Sequence, residues 1–88
     1  MKLELRYFAG LREALDSPGE SVTVPAEVVT VADLRQWLSV RGGVWVALST
    51  QKNLRAALDH AMLVPGAEAK TALREGAEVA FFPPVTGG

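Results

Sequence analysis

The residues with the clearest chemical promise are Val85-Thr86-Gly87-Gly88, which follow the run Phe81-Phe82-Pro83-Pro84. Neither Gly87 nor Gly88 carries a Cβ, so their backbone can enter a channel too narrow for any other dipeptide. Extended at about 3.3–3.6 Å per residue, Val85 to Gly88 reaches on the order of 13–14 Å, enough to carry a terminal carboxylate into the active site of another protein. Gly88 is therefore the expected reactive residue, acting through its own acyl group. Such a carboxylate, with an ordinary pKa of about 3.3–3.7, resists nucleophilic attack at neutral pH and must first be activated. The bland alternative is a frayed chain end. Pro83 and Pro84 argue against it: both lack an N–H and fix φ, so the preceding strand must stop and the chain must lead outward.

The rest of the sequence offers no competing chemistry. It has no cysteine, so neither a thiolate nucleophile nor a thiolate metal site can form, and a lone His60 makes no metal centre. His60 is expected to be a surface turn residue. No Gly-x-Ser-x-Gly elbow, phosphate-binding glycine loop or spaced carboxylate pair is present. The 88 residues hold nine basic and ten acidic side chains with no basic run, which removes the footprint of a nucleic-acid binder. With 49% apolar residues the chain can bury one small core. The charged N-terminus lacks a signal-peptide core and no run reaches the roughly 20 apolar residues of a membrane span, so a soluble, cytoplasmic protein is expected.

Several elements must position such a tail. Leu3, Leu5 and Tyr7 alternate with Lys2, Glu4 and Arg6, predicting a half-buried strand closed by Phe8. Leu11, Ala14 and Leu15 predict a short helix over 9–15, followed by a turn over 16–19. Ser21 to Val24 predicts a second strand ended by Pro25. Thr30 and Asp33 have capping-box spacing and open a helix over 31–41. Its apolar face holds Leu34, Trp37, Leu38 and Val40, with Arg35, Gln36 and Ser39 off it. Arg41 complements its dipole, and Gly42-Gly43 stop it. Residues 44–48 are ambiguous between strand and helix, 49–53 read as an exposed loop, and Trp45 has no clear place. Leu54-Arg55-Ala56-Ala57-Leu58 has local helix propensity. Pro65-Gly66 and 74–77 are turns, and Glu78 to Phe82 is a strand with Val79 and Phe81 inward. This order predicts an α+β arrangement, a mixed sheet packed on one main helix. First and last strands side by side at its centre would make it a β-grasp: residues 1–82 as the domain and 83–88 as a flexible Gly-Gly tail.

The run from Glu75 to Gly88, together with Tyr7-Phe8-Ala9-Gly10-Leu11-Arg12-Glu13 and the helix starting at Val31, resembles the small subunit of molybdopterin synthase, the MoaD-type ubiquitin-like sulfur carriers. A terminal Gly-Gly is common to ubiquitin-like carriers, whereas Phe-Phe-Pro-Pro-Val-x-Gly-Gly is narrower. The resemblance implies that 54–58 is a strand, turning at Asp59-His60 into a short strand 61–64. The family more often has Asn-Gln at that turn. It also implies a mechanism in which an activating enzyme uses ATP to adenylate Gly88, a sulfur donor makes the thiocarboxylate, and the tail enters the large synthase subunit. There sulfur passes to cyclic pyranopterin monophosphate. The small subunit itself binds no cofactor and is non-catalytic alone, and the family implies a heterotetramer of two small and two large subunits.

The body then serves for docking. Phe8, Phe82 and Leu11 are candidates for an apolar patch beside the tail, with Pro83 and Pro84 leading out of it, although each aromatic could equally be core. Arg12 is a candidate for pairing with a partner's acid, or a solvated charge. Trp37 is expected in the core. Two rivals remain: a carrier serving thiazole synthesis, transfer-RNA thiolation or protein conjugation, and a ubiquitin-like binding module whose terminus stays unreactive.

Overall fold

The computed structural model describes residues 1–51 and 53–83. The alternating N-terminal run forms β1 (Lys2–Tyr7), which buries Leu3, Leu5 and Tyr7 and exposes the charges between them. Phe8 is the N-cap of α1 (Ala9–Leu15), so it begins the helix as well as ending the strand. β2 (Gly19–Thr23) returns antiparallel to β1 and starts two residues before the expected position. Gly19 is required by a close approach, since a Cβ there would lie 2.3 Å from the Leu5 carbonyl oxygen of the adjoining strand.

The capping box at Thr30 forms as its spacing requires. The Asp33 N–H donates to Thr30 Oγ1 at 3.1 Å, and the Thr30 N–H donates back to Asp33 Oδ2 at 3.0 Å. Backbone N–H donors of Thr30 and then Val29 hold the Asp33 carboxyl below the usual carboxylate range. From this start α2 runs over Val31–Ser39, two residues shorter than expected. Its buried stripe is Val31, Leu34, Leu38 and Ser39, whereas Val40 is 78% exposed and Trp37 only packs against the core from its margin. Ser39 can be buried because its hydroxyl donates to the Gln36 carbonyl at 2.7 Å.

Arg35 also departs from its expected place on the solvated side. Its guanidinium is bidentate to Glu68, with Nε and Nη2 donating at 2.6 and 2.7 Å. Nη1 and Nη2 also donate to the carbonyls of Leu48 and Leu54 at 3.3 and 2.7 Å, and the group lies over the Phe81 ring at 5.4 Å. One side chain thus ties α2 to the segments that carry Leu48, Leu54 and Glu68. Arg41, instead of acting on the helix dipole, chelates Glu20 through Nη1 and Nη2 at 2.7 and 3.0 Å and stacks 4.4 Å from the Trp45 ring centre. Trp45 in turn meets Tyr7 edge to face at 5.5 Å, which gives this tryptophan its place.

The ambiguous segment is helical: a 3₁₀ turn over Gly43–Val46 leads into α3 (Ala47–Thr50), so the expected loop at 49–53 starts inside a helix. After it, β3 (Arg55–Leu58) and β4 (Ala61–Met62) form a hairpin, and the local helix signal at 54–58 is overridden. Pairing with β5 (Glu78–Phe82) explains this, because it turns Ala56 fully into the core opposite Phe81. A 3₁₀ turn over Glu68–Lys70 precedes that last strand.

The sheet order is β2-β1-β5-β3-β4, with β1 and β5 parallel at its centre and the other pairs antiparallel. α2 covers one face. This is an α+β, ubiquitin-like β-grasp. Among the described residues no helix is long and apolar enough to cross a membrane.

Candidate docking face and tail exit

β5 sits between β1 and β3, so its far end is held on both sides. Tyr7 pairs with Phe81 in the parallel register, and the Phe8 N–H donates to the Phe81 carbonyl at 3.2 Å. On the other side Arg55 is registered with Phe82. Alternation along β5 sends Val79 and Phe81 into the core and leaves Glu78, Ala80 and Phe82 on the face that α2 does not cover. The strand ends at Phe82, and Pro83 follows it half-buried. Pro84, Val85, Thr86, Gly87 and Gly88, which carry the expected chemistry, lie outside the described residues.

The open face has a depression of about 480 Å³ at this exit. Phe8, Arg12 and Phe82, singled out from sequence as docking candidates, all line it, and Phe8 is 48% exposed. Leu11 does not: it is buried beneath α1 with Leu15, because the helix turns that face onto the sheet. Seven further liners were missed, namely Arg6, Tyr7, Pro18, His60, Glu78 and the pair Ala57 and Ala80, which face one another across β3 and β5. Strand alternation could have found Arg6, Glu78 and Ala80, since parallel pairing of β1 with β5 puts all three on the face of Phe82.

His60 is indeed an exposed turn residue, but its turn aims it at the site. Asp59 and His60 both have positive φ, 47° and 73°, in the two-residue loop between β3 and β4. His60 Nε2 reaches Glu78 Oε2 at 3.3 Å, and Arg6 Nε reaches Glu78 Oε1 at 3.5 Å. Asp59 locks the turn from the other side: its Oδ1 accepts the Glu78 N–H at 2.9 Å and its Oδ2 pairs with Arg74. The face is thus an alanine floor with aromatics toward the tail and a charged border opposite. Among the described residues none of these groups is arranged as a nucleophile and base.

Comparison with known proteins agrees with this geometry. The ThiS family model matches residues 5–88. The molybdopterin synthase sulfur carrier subunit of Escherichia coli is 33% identical over 98% of this chain and 99% of its own. Among solved structures, small archaeal modifier protein 1 of Haloferax volcanii is 26% identical with a TM-score of 0.69, covering 96% of this chain and 98% of its own. A complex of subunits 1 and 2 of the molybdopterin-converting factor from Helicobacter pylori contains a chain matching at a TM-score of 0.66 over the full length of both, where 19% identity speaks for the fold alone. With the family model spanning nearly all of the sequence and the sulfur carrier matching end to end, the chain belongs to the ThiS family as a MoaD-type ubiquitin-like protein.

Proposed function

We propose that this protein is the cytoplasmic sulfur-carrying subunit of a molybdopterin synthase and acts in molybdenum cofactor biosynthesis. The observation that carries the reading is the full-length similarity to a molybdopterin synthase sulfur carrier subunit, which runs through the residues that anchor β5 and on to Gly88. In this reading ATP is consumed by a separate activating enzyme and no cofactor is held by the carrier. Attack of the Gly88 carboxylate on the α-phosphorus releases pyrophosphate and gives the acyl-adenylate. A donor of sulfide-level sulfur then attacks the acyl carbon, displaces AMP and leaves the thiocarboxylate. In the large subunit the thiocarboxylate sulfur attacks a carbon of cyclic pyranopterin monophosphate and displaces an oxygen group from it. Water then cleaves the acyl C–S bond, leaving the sulfur as a thiolate on the pterin and regenerating the Gly88 carboxylate.

Tail insertion is assigned to Val85, Thr86, Gly87 and Gly88, with Phe8, Arg12, Phe82, Pro83 and Pro84 as the docking collar. The partners are the large subunit, in a heterotetramer, the activating enzyme and a sulfur donor. The chain alone turns nothing over. The test is the intact mass after incubation with the activating enzyme, ATP and a sulfur source. A gain equal to sulfur replacing one oxygen, absent when Gly88 is deleted, is expected. No gain with an enzyme competent on another carrier overturns the reading.

The likeness to a small archaeal modifier protein favours one second reading, a carrier whose activated glycine is joined to other proteins. The acceptor separates the two: sulfurated pterin with the large subunit in the first case, a carrier-lysine adduct in the second. A short tag fused after Gly88 should abolish either activity and would spare a plain binding module.

A further inference from the structure

We infer that the alanine-floored notch on the open face receives one bulky apolar side chain of the synthase large subunit, bordered there by carboxylates. The inference rests on the carrier reading above and adds what the partner must present. Ala57 and Ala80 face one another across β3 and β5, and Arg6 lies opposite Ala80 on β1. Two adjacent methyl groups keep the centre of the sheet low while larger side chains stand around it. Phe8 and Phe82 rise on the tail side, and His60 with Glu78 on the other. The resulting space, about 480 Å³, accommodates a large side chain together with part of its backbone.

A protein anchor fits this site better than a small molecule. Small ligands need most of their surface enclosed and a few converging polar groups, whereas this floor is two methyls on an open sheet face. Interfaces, in contrast, are dominated by apolar anchors seated among half-exposed aromatics. The position narrows the occupant. Phe82 ends the strand from which the tail continues, so a protein seated in the notch is one that takes the tail. Of the activating enzyme and the large subunit we assign it to the latter, the partner named beside the carrier in the solved complex of subunits 1 and 2.

Charge sets the border. Glu78 is engaged on one oxygen by Arg6 and on the other by His60, while Arg12 forms no ion pair among the described residues. In a chain of net charge −1, the rim thus carries local positive excess, which complements acidic residues on the partner.

The test titrates the full-length protein into the large subunit of the same organism's synthase, with thermal melts of each variant. Filling the floor with Ala80→Leu or, separately, Ala57→Leu is expected to weaken binding roughly 30-fold or more with melts unchanged, while Ala80→Ser stays within about threefold. Arg12→Glu, on the exposed side of α1, is expected to weaken binding about tenfold at low salt and less at high salt. Filled variants that fold and bind like the parent overturn the notch and leave the carrier reading standing. An Arg12→Glu variant with unchanged low-salt affinity overturns the charge complementarity, whether or not the filled variants fold. A parent protein that does not bind the large subunit overturns both the notch and the carrier reading.

Discussion

The two faces of this sheet solve opposite problems. Under α2, Leu34, Leu38, Val79 and Phe81 are completely buried, and no buried side-chain polar atom among the described residues lacks a partner. Arg35 there is tied to Glu68 and two carbonyls, so even the cation inside this layer is satisfied. On the other face the floor is two alanines, Phe8 is half-exposed, and Glu78 meets His60 and Arg6 only at 3.3 and 3.5 Å. The covered face fixes where β5 ends. The open face, less tightly satisfied, keeps surface in reserve for a partner. Stability and recognition are thus separated by the thickness of one strand.

Phe81 and Phe82 put that separation to its strongest test, because they are chain neighbours on opposite faces. Phe81→Ala removes a ring with no exposed surface and is expected to cost about 3–5 kcal/mol of unfolding free energy in a urea titration. Phe82→Ala is expected to cost about 1 kcal/mol or less, yet weaken large-subunit binding more than tenfold. Equal losses of stability for the two would place Phe82 in the core and dissolve the distinction.

A second test concerns the seam where the covered layer closes at the sheet edge. Glu20 receives Arg41 and also the Tyr7 hydroxyl, which donates at 2.9 Å, and Arg41 first of all holds the Glu20 carboxyl below the usual range. Its ionised form therefore stabilises the fold at neutral pH. That contribution is lost as pH falls from the unfolded value of about 4.3 through the lower folded one. Glu20→Gln is expected to cost about 1 kcal/mol at pH 7, with the gap to the parent closing in acid. Burial, aided by Glu20, raises the Tyr7 hydroxyl above its ordinary value. The opposite limb follows: neutral Tyr7 stabilises the fold below about pH 10, and this is lost as pH rises from there toward the higher folded value. A Glu20→Gln gap that stays constant from neutral to acid pH would remove this seam from the covered layer.

What was legible in the sequence follows the same division. The covered face announces itself by period: Leu3, Leu5 and Tyr7 on a strand, Val31, Leu34 and Leu38 on a helix, and Thr30 with Asp33 at the cap. Non-local causes were harder to read. Ala56 is in a strand because Phe81 lies opposite it, not because of its neighbours in sequence. Arg35 has the type and spacing of a solvated residue, and only the arrival of Glu68 from 33 residues away makes it interior. At the site, aromatic and charged residues near the tail attracted notice, whereas Ala57 and Ala80 did not. A notch is made by what its floor residues lack, and no local pattern marks such an absence.

The smallest effect is expected at His60, where the two faces meet in one turn. The β3–β4 loop has two residues, both at positive φ, the form that asparagine-glycine or aspartate-glycine pairs adopt most easily. Asp59 suits the left-handed region and is locked by the Glu78 N–H, but His60 at φ 73° bears the Cβ penalty. His60→Gly relieves about 1 kcal/mol or more of that strain and gives back part of it through the freer unfolded chain. The His60–Glu78 pair it removes is 82% exposed on the histidine side and adds little stability. The expected outcome is a net gain of about 0.5 kcal/mol in unfolding free energy, read from a higher urea midpoint, with large-subunit binding weakened up to about threefold as one side of the notch is lost. A variant that loses stability would mean His60 contributes more to the sheet than the turn geometry takes away. A variant that gains stability without any change in binding would leave the border of the notch to Arg6, Arg12 and Glu78 alone.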